Sequence, residues 1–244
     1  MIATLLGAAA LAAAPQVSLV ASPARVQLAG AGRQAVTVTN HARTAVVVDA
    51  ARAGFALDLR GRPRVVAAPR SRWLTIAPSR LRIAAGRSAV VTVIARVPRG
   101  VSPGDHAALL LLSTRSQPRA GLAIRMRLGV VVVLRVPGRV VRRLDPTQVA
   151  VRCTRAGRTL VLLLANRGNV GETLARGRLT VDVRRGRRLV ARFRPPPREL
   201  LPHTRGLVDL PCPRRLRGRL TVDVLLRPTA PGGRLLRRSF RVRL

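Results

Sequence analysis

The chain has 244 residues, of which 48% are hydrophobic, and its formal net charge at pH 7 is +37. This length is typical of about two domains, and the apolar content is sufficient to bury a core in each, which excludes an intrinsically disordered chain. Aromatic residues make up only 2%, with Trp73 as the single tryptophan and no tyrosine, which argues against aromatic surfaces that stack on sugars or bases.

The positive charge comes entirely from 46 arginines, without a single lysine. Together with a bias toward Ala, Gly, Pro, Val and Leu, this predicts a GC-rich bacterial genome, so that codon usage can account for part of the charge. The charge should still attract polyanions such as wall teichoic acids, anionic lipid headgroups or nucleic acid. Because the arginines are spread evenly rather than gathered in a patch or tail, specific nucleic-acid binding is not favoured.

Residues 1–14 (MIATLLGAAALAAA) form an apolar run of small residues that is typical of a signal peptide, and Ala10-Leu11-Ala12 fits a cleavage site. No basic residue precedes the apolar run, so a buried N-terminal helix is the alternative interpretation. The run is too short to cross a bilayer comfortably. We therefore predict an exported protein of the bacterial cell envelope, whose mature chain has no transmembrane span.

The first domain is predicted to occupy residues 15–138. Extended chain at 17–28 is followed by an alternating strand at 34–40, in which Val36 and Val38 share one face. Two further strands are predicted at 44–51 and 55–59.

The stretch from Trp73 to Thr114 contains the strands around which we expect the rest of this domain to be arranged. Short runs rich in β-branched residues, at 81–84 and 89–96, are separated by a turn at Gly86. A proline-glycine turn at 102–105 precedes an apolar strand at 106–114. The apolar run at 128–134 is predicted to be a strand buried on both faces.

Residues 139–147 are predicted to be a basic linker, and residues 148–244 a second domain of short strands. The segment GRLTVDV at 177–183 recurs unchanged at 218–224. It could mark a duplicated binding strand or two strands of one sandwich with the same alternation, and we favour the second. Many short strands without a long amphipathic helix predict an all-β sandwich fold.

Neither a catalytic nor a metal-binding constellation is evident. Cys153 and Cys212 are predicted to form a disulfide in an exported protein, with two buried thiols as the alternative. The three histidines lie far apart in sequence near predicted turns, without the spacing of a zinc or nucleophile motif. Asp182 and Asp223, a conceivable carboxylate pair, are instead expected to offset neighbouring arginines across the sheet. We therefore predict a non-enzymatic protein without a cofactor or metal.

Residues 36–135 resemble the immunoglobulin-like, peptidoglycan-binding domain of WxL-interacting cell-surface proteins. The similar segments are VTVTN at 36–40, WLTIAPSRLRIAAGRSAVVTVIARVP at 73–98 and GDHAALLLL at 104–112. LLLANRGN at 162–169 resembles the companion domain of those proteins. The segment IAPSRLRIAAG at 76–86, with a strand on each side, is also similar to periplasmic pilus chaperones of the PapD type. Both resemblances imply two tandem immunoglobulin-like antiparallel β-sandwiches.

The resulting functional prediction is a binding or scaffolding protein for wall polymer (peptidoglycan or an anionic glycopolymer) or for a surface protein. Anchoring by a C-terminal span, usual in WxL-interacting proteins, is not expected, because the sequence ends without an apolar segment. Candidate polyanion-binding residues, each of which could also be a solvated charge, are Arg80, Arg82, Arg184, Arg185, Arg187 and Arg188. The alternative is a chaperone for surface or pilus subunits, which requires strand capture at an open sheet edge and a basic anchor in the cleft between the domains.

Overall fold

A computed structural model describes residues 18–67, 72–115, 117–119, 122–154, 157–213, 216–229 and 234–243. The predicted signal-peptide-like segment lies outside these residues. Every regular element within them is a β-strand. The strands are β1 (Leu19–Ser22), β2 (Arg25–Ala29), β3 (Gly32–Asn40), β4 (Val46–Leu57), β5 (Pro63–Val66), β6 (Leu74–Ala77), β7 (Arg80–Ile83), β8 (Ser88–Ala95), β9 (Gly104–Thr114), β10 (Gln117–Arg119), β11 (Leu122–Ile124), β12 (Arg127–Val136), β13 (Leu144–Thr154), β14 (Gly157–Asn166), β15 (Glu172–Leu174), β16 (Leu179–Arg185), β17 (Arg188–Phe193), β18 (Arg198–Leu200), β19 (Arg205–Pro211), β20 (Arg219–Leu226) and β21 (Leu236–Arg243).

The first domain packs a sheet ordered β1-β3-β8-β6 against a sheet ordered β2-β12-β9-β4-β5, with β7 also paired to β4. Period-two alternation places one face of each strand in the core between the sheets. The predicted alternation of β3 is confirmed, because Val36 and Val38 are both fully buried. Trp73 and Leu110 are buried in the same core.

Two details of the first domain differ from the prediction. The two strands predicted at 44–51 and 55–59 form one continuous strand, β4. This strand continues through Gly54, where a Cβ atom would collide with the Ala67 carbonyl oxygen. Glycine at this position therefore lets the chain that follows β5 approach the strand closely. In β12, burial on both faces is limited to residues 132–134, whereas Arg127 and Gly129 are exposed.

The second domain packs β13-β14-β19 against β17-β16-β20-β21, with β15 and β18 forming a short ribbon. Its core includes Leu160, Leu162, Val181 and Val222. The duplicated segments lie on β16 and β20, which are adjacent antiparallel strands. This arrangement matches the interpretation of two strands in one sandwich. The first strand begins at Leu144, and the predicted domain bounds 15–138 and 148–244 stay a prediction.

The predicted disulfide is not formed, since Cys153 and Cys212 are both free thiols. Cys153 lies opposite Arg158 across the β13–β14 pair, and the Cys212 N–H donates to the Arg158 carbonyl from the other side. Strand β14 therefore separates the two cysteines. Strands spaced ~4.8 Å apart place the Cα atoms at about 10 Å, beyond the limit of ~7 Å for a disulfide.

No helix of a length and apolarity sufficient to span a membrane occurs within the described ranges.

Candidate functional site

The two domains are joined by a set of hydrogen bonds around Asp105 and Asn169. The Asp105 carboxylate accepts from the Gly171 N–H at 2.8 Å, while the Asp105 N–H donates to the Asn169 carbonyl at 2.8 Å. The Asn169 amide donates to the Pro103 and Arg139 carbonyls at 2.9 and 2.8 Å. These bonds hold the start of β9 against the second domain.

The carboxylate of Asp105 also receives two hydrogen bonds from Arg135, at 2.7 and 2.8 Å. Burial acts to raise the pKa of Asp105, but the bonds from Arg135 and the Gly171 N–H outweigh it, so that the pKa lies below its usual value. The charged carboxylate is therefore favoured in the folded, docked state.

This depressed pKa predicts a pH-dependent contribution to stability. A carboxylate whose pKa is lower in the folded protein stabilises it fully above the unfolded-state pKa of about 3.9. That contribution is lost as the pH falls through the lower, folded-state value. We expect Asp105→Asn to make the melting temperature less sensitive to acid, measured by thermal unfolding between pH 7 and about pH 2.5. Parallel pH profiles for variant and wild type would contradict this role of Asp105.

Arg25, the first residue of β2, bridges the cleft between the domains. Its two terminal nitrogens donate to the two carboxylate oxygens of Glu199, both at 2.8 Å. The Glu199 hydrogen bond raises the pKa of Arg25, so the guanidinium stays charged. The Arg25 side chain is nevertheless 44% exposed. Arg25 is thus an accessible cation that already holds a carboxylate bidentately.

One edge of β12 is open beside this cation. Strand β9 pairs with β12 from Arg127 to Val136, whereas β2 pairs with it in parallel only from Val131 to Arg135. Among the described strands, none pairs with the other side of residues 127–130. The free edge ends where Arg25 lies opposite Val131.

The open edge also presents apolar surface. Leu128 and Met126 are only partly buried, yet both pack against the core of the first domain. The preceding strand, β11, has β10 as its one partner among the described strands. An extended peptide added here could form backbone hydrogen bonds and cover this apolar surface.

The six arginines named from the sequence lie in two separate places. Arg80 and Arg82 are on β7 of the first domain, and Arg80 forms an exposed ion pair with Asp49 at 2.8 Å. The other four lie on β16, β17 and the turn between them, where Arg184 bonds the buried Asp223 at 3.1 Å. Their role in polyanion binding stays a prediction.

Asp182 and Asp223 lie directly opposite each other on β16 and β20. Two facing like charges would destabilise the pair without compensation. Asp182 accepts two bonds from Arg192 at 2.6 and 2.9 Å, and Asp223 accepts from Arg237 at 2.9 Å and from Ser239 at 2.6 Å. Both carboxylates thus offset arginines, as predicted. Within the described ranges, no group of three or more His, Cys, Asp or Glu could hold a metal ion.

Sequence reasoning missed the two residues that meet in the cleft. Arg25 and Glu199 are 174 positions apart in the sequence. Each lies on a short strand, in a local sequence that does not distinguish it from the other charged residues on short strands of the chain. A weak signal was available, because Glu199 is one of only nine acidic residues. In so basic a chain, an acid has a strong electrostatic reason to lie beside arginine.

No protein-family model matches the chain, and no curated protein matches it. Several solved structures do match the chain. A chain of a chaperone–tip adhesin complex of CFA/I fimbriae biogenesis is 10% identical, with a TM-score of 0.56 over 91% of this chain and 98% of that one. The class 5 fimbriae chaperone CfaA is 10% identical, with a TM-score of 0.55 over 91% and 98%. A chain of the CsuC–CsuE chaperone–tip subunit complex of Acinetobacter baumannii is 13% identical, with a TM-score of 0.51 over 90% and 97%.

These likenesses support one of the two resemblances and not the other. They support neither the resemblance to WxL-interacting surface proteins nor peptidoglycan binding. They do support the similarity to pilus chaperones. The chain therefore has the fold of two-domain fimbrial chaperones, a tandem pair of immunoglobulin-like β-sandwiches, as predicted.

Proposed function

We propose that this protein is a non-catalytic, extracytoplasmic chaperone that captures an extended segment of a surface or pilus subunit by strand addition to β12. The observation that carries the proposal is the open edge of β12 at residues 127–130, which ends at the cleft arginine Arg25. The fold shared with fimbrial chaperones supports the same role. The signal-like sequence of residues 1–14 supports a location outside the cytoplasm.

The open edge supplies backbone affinity without sequence specificity. Its unpaired N–H and C=O groups can each bond to the backbone of an added strand, and an exposed edge left unpaired is a site for association. On the added strand, side chains that point inward would contact Leu128 and Met126. A partner segment of alternating apolar residues is therefore favoured.

Arg25 predicts the direction of the added strand. A segment alongside residues 127–130 occupies the position that β2 would fill if it extended backward beyond Arg25. A segment parallel to β12 would bring its C-terminal carboxylate to Arg25, whereas an antiparallel one would bring a positively charged amine there. Because guanidinium attracts carboxylate and repels ammonium, the parallel orientation is favoured. Glu199 holds Arg25 in the unliganded protein and would compete with the incoming carboxylate.

We expect a nine-residue peptide that alternates valine and serine to bind more tightly with a free C-terminal carboxylate than with a C-terminal amide. A charge-assisted, bidentate pair should give about a tenfold difference in Kd, or ~1.4 kcal/mol. Fluorescence anisotropy of peptides labelled at the N-terminus measures both values. Arg25→Gln should abolish the preference, and Glu199→Gln should strengthen binding of the carboxylate form.

The matched control is Arg33→Gln, which removes an exposed arginine of β3 that makes no ion pair with a described residue. Leu128→Glu should weaken both peptides, because it places a charge on the apolar side of the edge. The proposed function fails if neither peptide binds, or if Arg33→Gln lowers the preference as much as Arg25→Gln does.

A further inference from the structure

A basic groove of about 400 Å³ lies on the outer face of the sheet β17-β16-β20-β21 in the second domain. Its polar lining consists of four arginines with one carboxylate and one hydroxyl, namely Arg176, Arg192, Arg194, Arg227, Asp182 and Thr180. The lining thus carries a net charge of about +3, counting four guanidinium groups against one carboxylate. None of the arginines proposed from the sequence lines this groove.

Three of the four arginines are available to a ligand. The side chains of Arg176, Arg194 and Arg227 are exposed, and none pairs with a carboxylate among the residues that the structure describes. Arg192 is different, because its Nε and Nη2 donate to Asp182. That bidentate pair fixes the plane of the Arg192 guanidinium at the floor of the groove.

The end of the groove is held by a buried ion pair. Glu172, only 1% exposed, lies 2.7 Å from the Arg178 guanidinium. Arg178 in turn donates to the Thr173 and Arg227 carbonyls at 2.7 and 3.1 Å. The Arg227 N–H donates to the Arg178 carbonyl at 2.9 Å, and the Arg178 N–H donates to the Ala175 carbonyl at 3.1 Å. The backbone that carries Arg176 and Arg227 is therefore fixed without any ligand.

We propose that this basic groove binds a phosphate group of a phosphorylated ligand. Guanidinium groups match the oxygen spacing of phosphate and can bond it bidentately. Several unpaired guanidinium groups around one cavity favour an anion that offers three or more oxygens over a single carboxylate. The volume falls within the usual range for small-ligand sites, which leaves room for the group that the phosphate esterifies.

The phosphate could belong to a free phosphorylated molecule or to a lipid headgroup, and two arms of one experiment distinguish them. Inorganic phosphate and pyrophosphate are titrated by calorimetry at 0.15 M salt, where the screening length is about 8 Å and diffuse attraction is weak. Vesicles of phosphatidylglycerol in phosphatidylcholine are cosedimented with the protein under the same conditions. The groove variant is Arg176→Gln, Arg194→Gln and Arg227→Gln combined.

The control variant combines Arg33→Gln, Arg43→Gln and Arg87→Gln. It removes the same charge from three exposed arginines of the first domain that form no ion pair with a described residue. We expect saturable, single-site binding by the wild type and the control, and at least tenfold weaker binding by the groove variant. If pyrophosphate shows this pattern, the ligand is a free phosphorylated molecule; if only the vesicles show it, the ligand is a lipid headgroup.

The proposal is overturned if no probe binds saturably, or if the control variant loses as much affinity as the groove variant, since net charge alone would then explain the attraction. The single variant Arg194→Gln, just beyond the end of β17, keeps the test decisive if the triple variant does not fold. The groove does not depend on strand capture, so either proposal can fail without the other.

Discussion

Replacing Asn166 by alanine is expected to destabilise the second domain by about 3–4 kcal/mol, because it strips hydrogen bonds from several buried backbone groups at once. The Asn166 amide nitrogen donates to three carbonyls, those of Val170, Leu200 and Leu201, at 2.9–3.2 Å. Its oxygen accepts from the Gly168 N–H at 3.0 Å. Asn166 itself is 1% exposed.

Asn40 has the same arrangement in the first domain. Its amide nitrogen donates to the carbonyls of Thr44, Ile83 and Ala84 at 2.8–3.2 Å, and its oxygen accepts from the Ala42 N–H at 3.0 Å. Asn40→Ala should therefore have an effect of similar size, since each domain uses a buried asparagine at the end of a strand to hold the turn that follows.

Urea unfolding of each variant measures these losses. Ser88→Ala is the matched control, because it removes an exposed hydrogen bond to Thr39 at 2.8 Å and should cost less than ~0.5 kcal/mol. If the asparagine variants lost no more stability than Ser88→Ala, the carbonyl groups would have found other partners, and the structural role assigned to the asparagines would be wrong.

Replacing Glu172 by leucine is expected to cost about 3–5 kcal/mol, because it leaves a partly buried guanidinium without its counter-ion. Arg178 is only 11% exposed and lies 2.7 Å from Glu172, while Arg142 and Thr229 donate to the same carboxylate at 3.1 and 3.2 Å. The loss should appear as a lower midpoint in urea unfolding.

The double variant Glu172→Leu with Arg178→Met tests whether the lost stability comes from the Arg178 guanidinium that is left without its counter-ion. Replacing both members of a buried ion pair by apolar residues of similar volume is often nearly neutral, so the double variant should recover much of the lost stability. A double variant as unstable as Glu172→Leu alone would show that the ion pair is not the origin of the effect. Asp49→Ala, which breaks the exposed pairs with Arg80 and Arg115, should change stability little.

Local pattern in the sequence was sufficient to predict the strands and the fold class. The alternation of residues 34–40 requires one face in a core, and the structure buries Val36 and Val38. The predicted turn at Gly86 is present, with a φ of 65° that favours glycine. The prediction failed at residues 52–54, where one long strand replaced two short ones, because β9 pairs with β4 as far as Gly54 and β5 pairs with it from Gly54 onward.

Which distant strands lie beside one another could be seen only in the tertiary structure. The open edge of β12 exists because β2 ends its pairing opposite Val131, and the predicted disulfide fails because β14 lies between the two cysteines. Arg25 meets Glu199 only because the second domain folds back onto the first. The physical reason is that the side-chain pattern of a strand determines which face is buried, whereas strands pair through backbone groups that are the same in nearly every residue. The side-chain alternation was therefore enough to predict an all-β protein of short strands, whereas the packing of the two domains fixes where its free edge and cleft arginine lie.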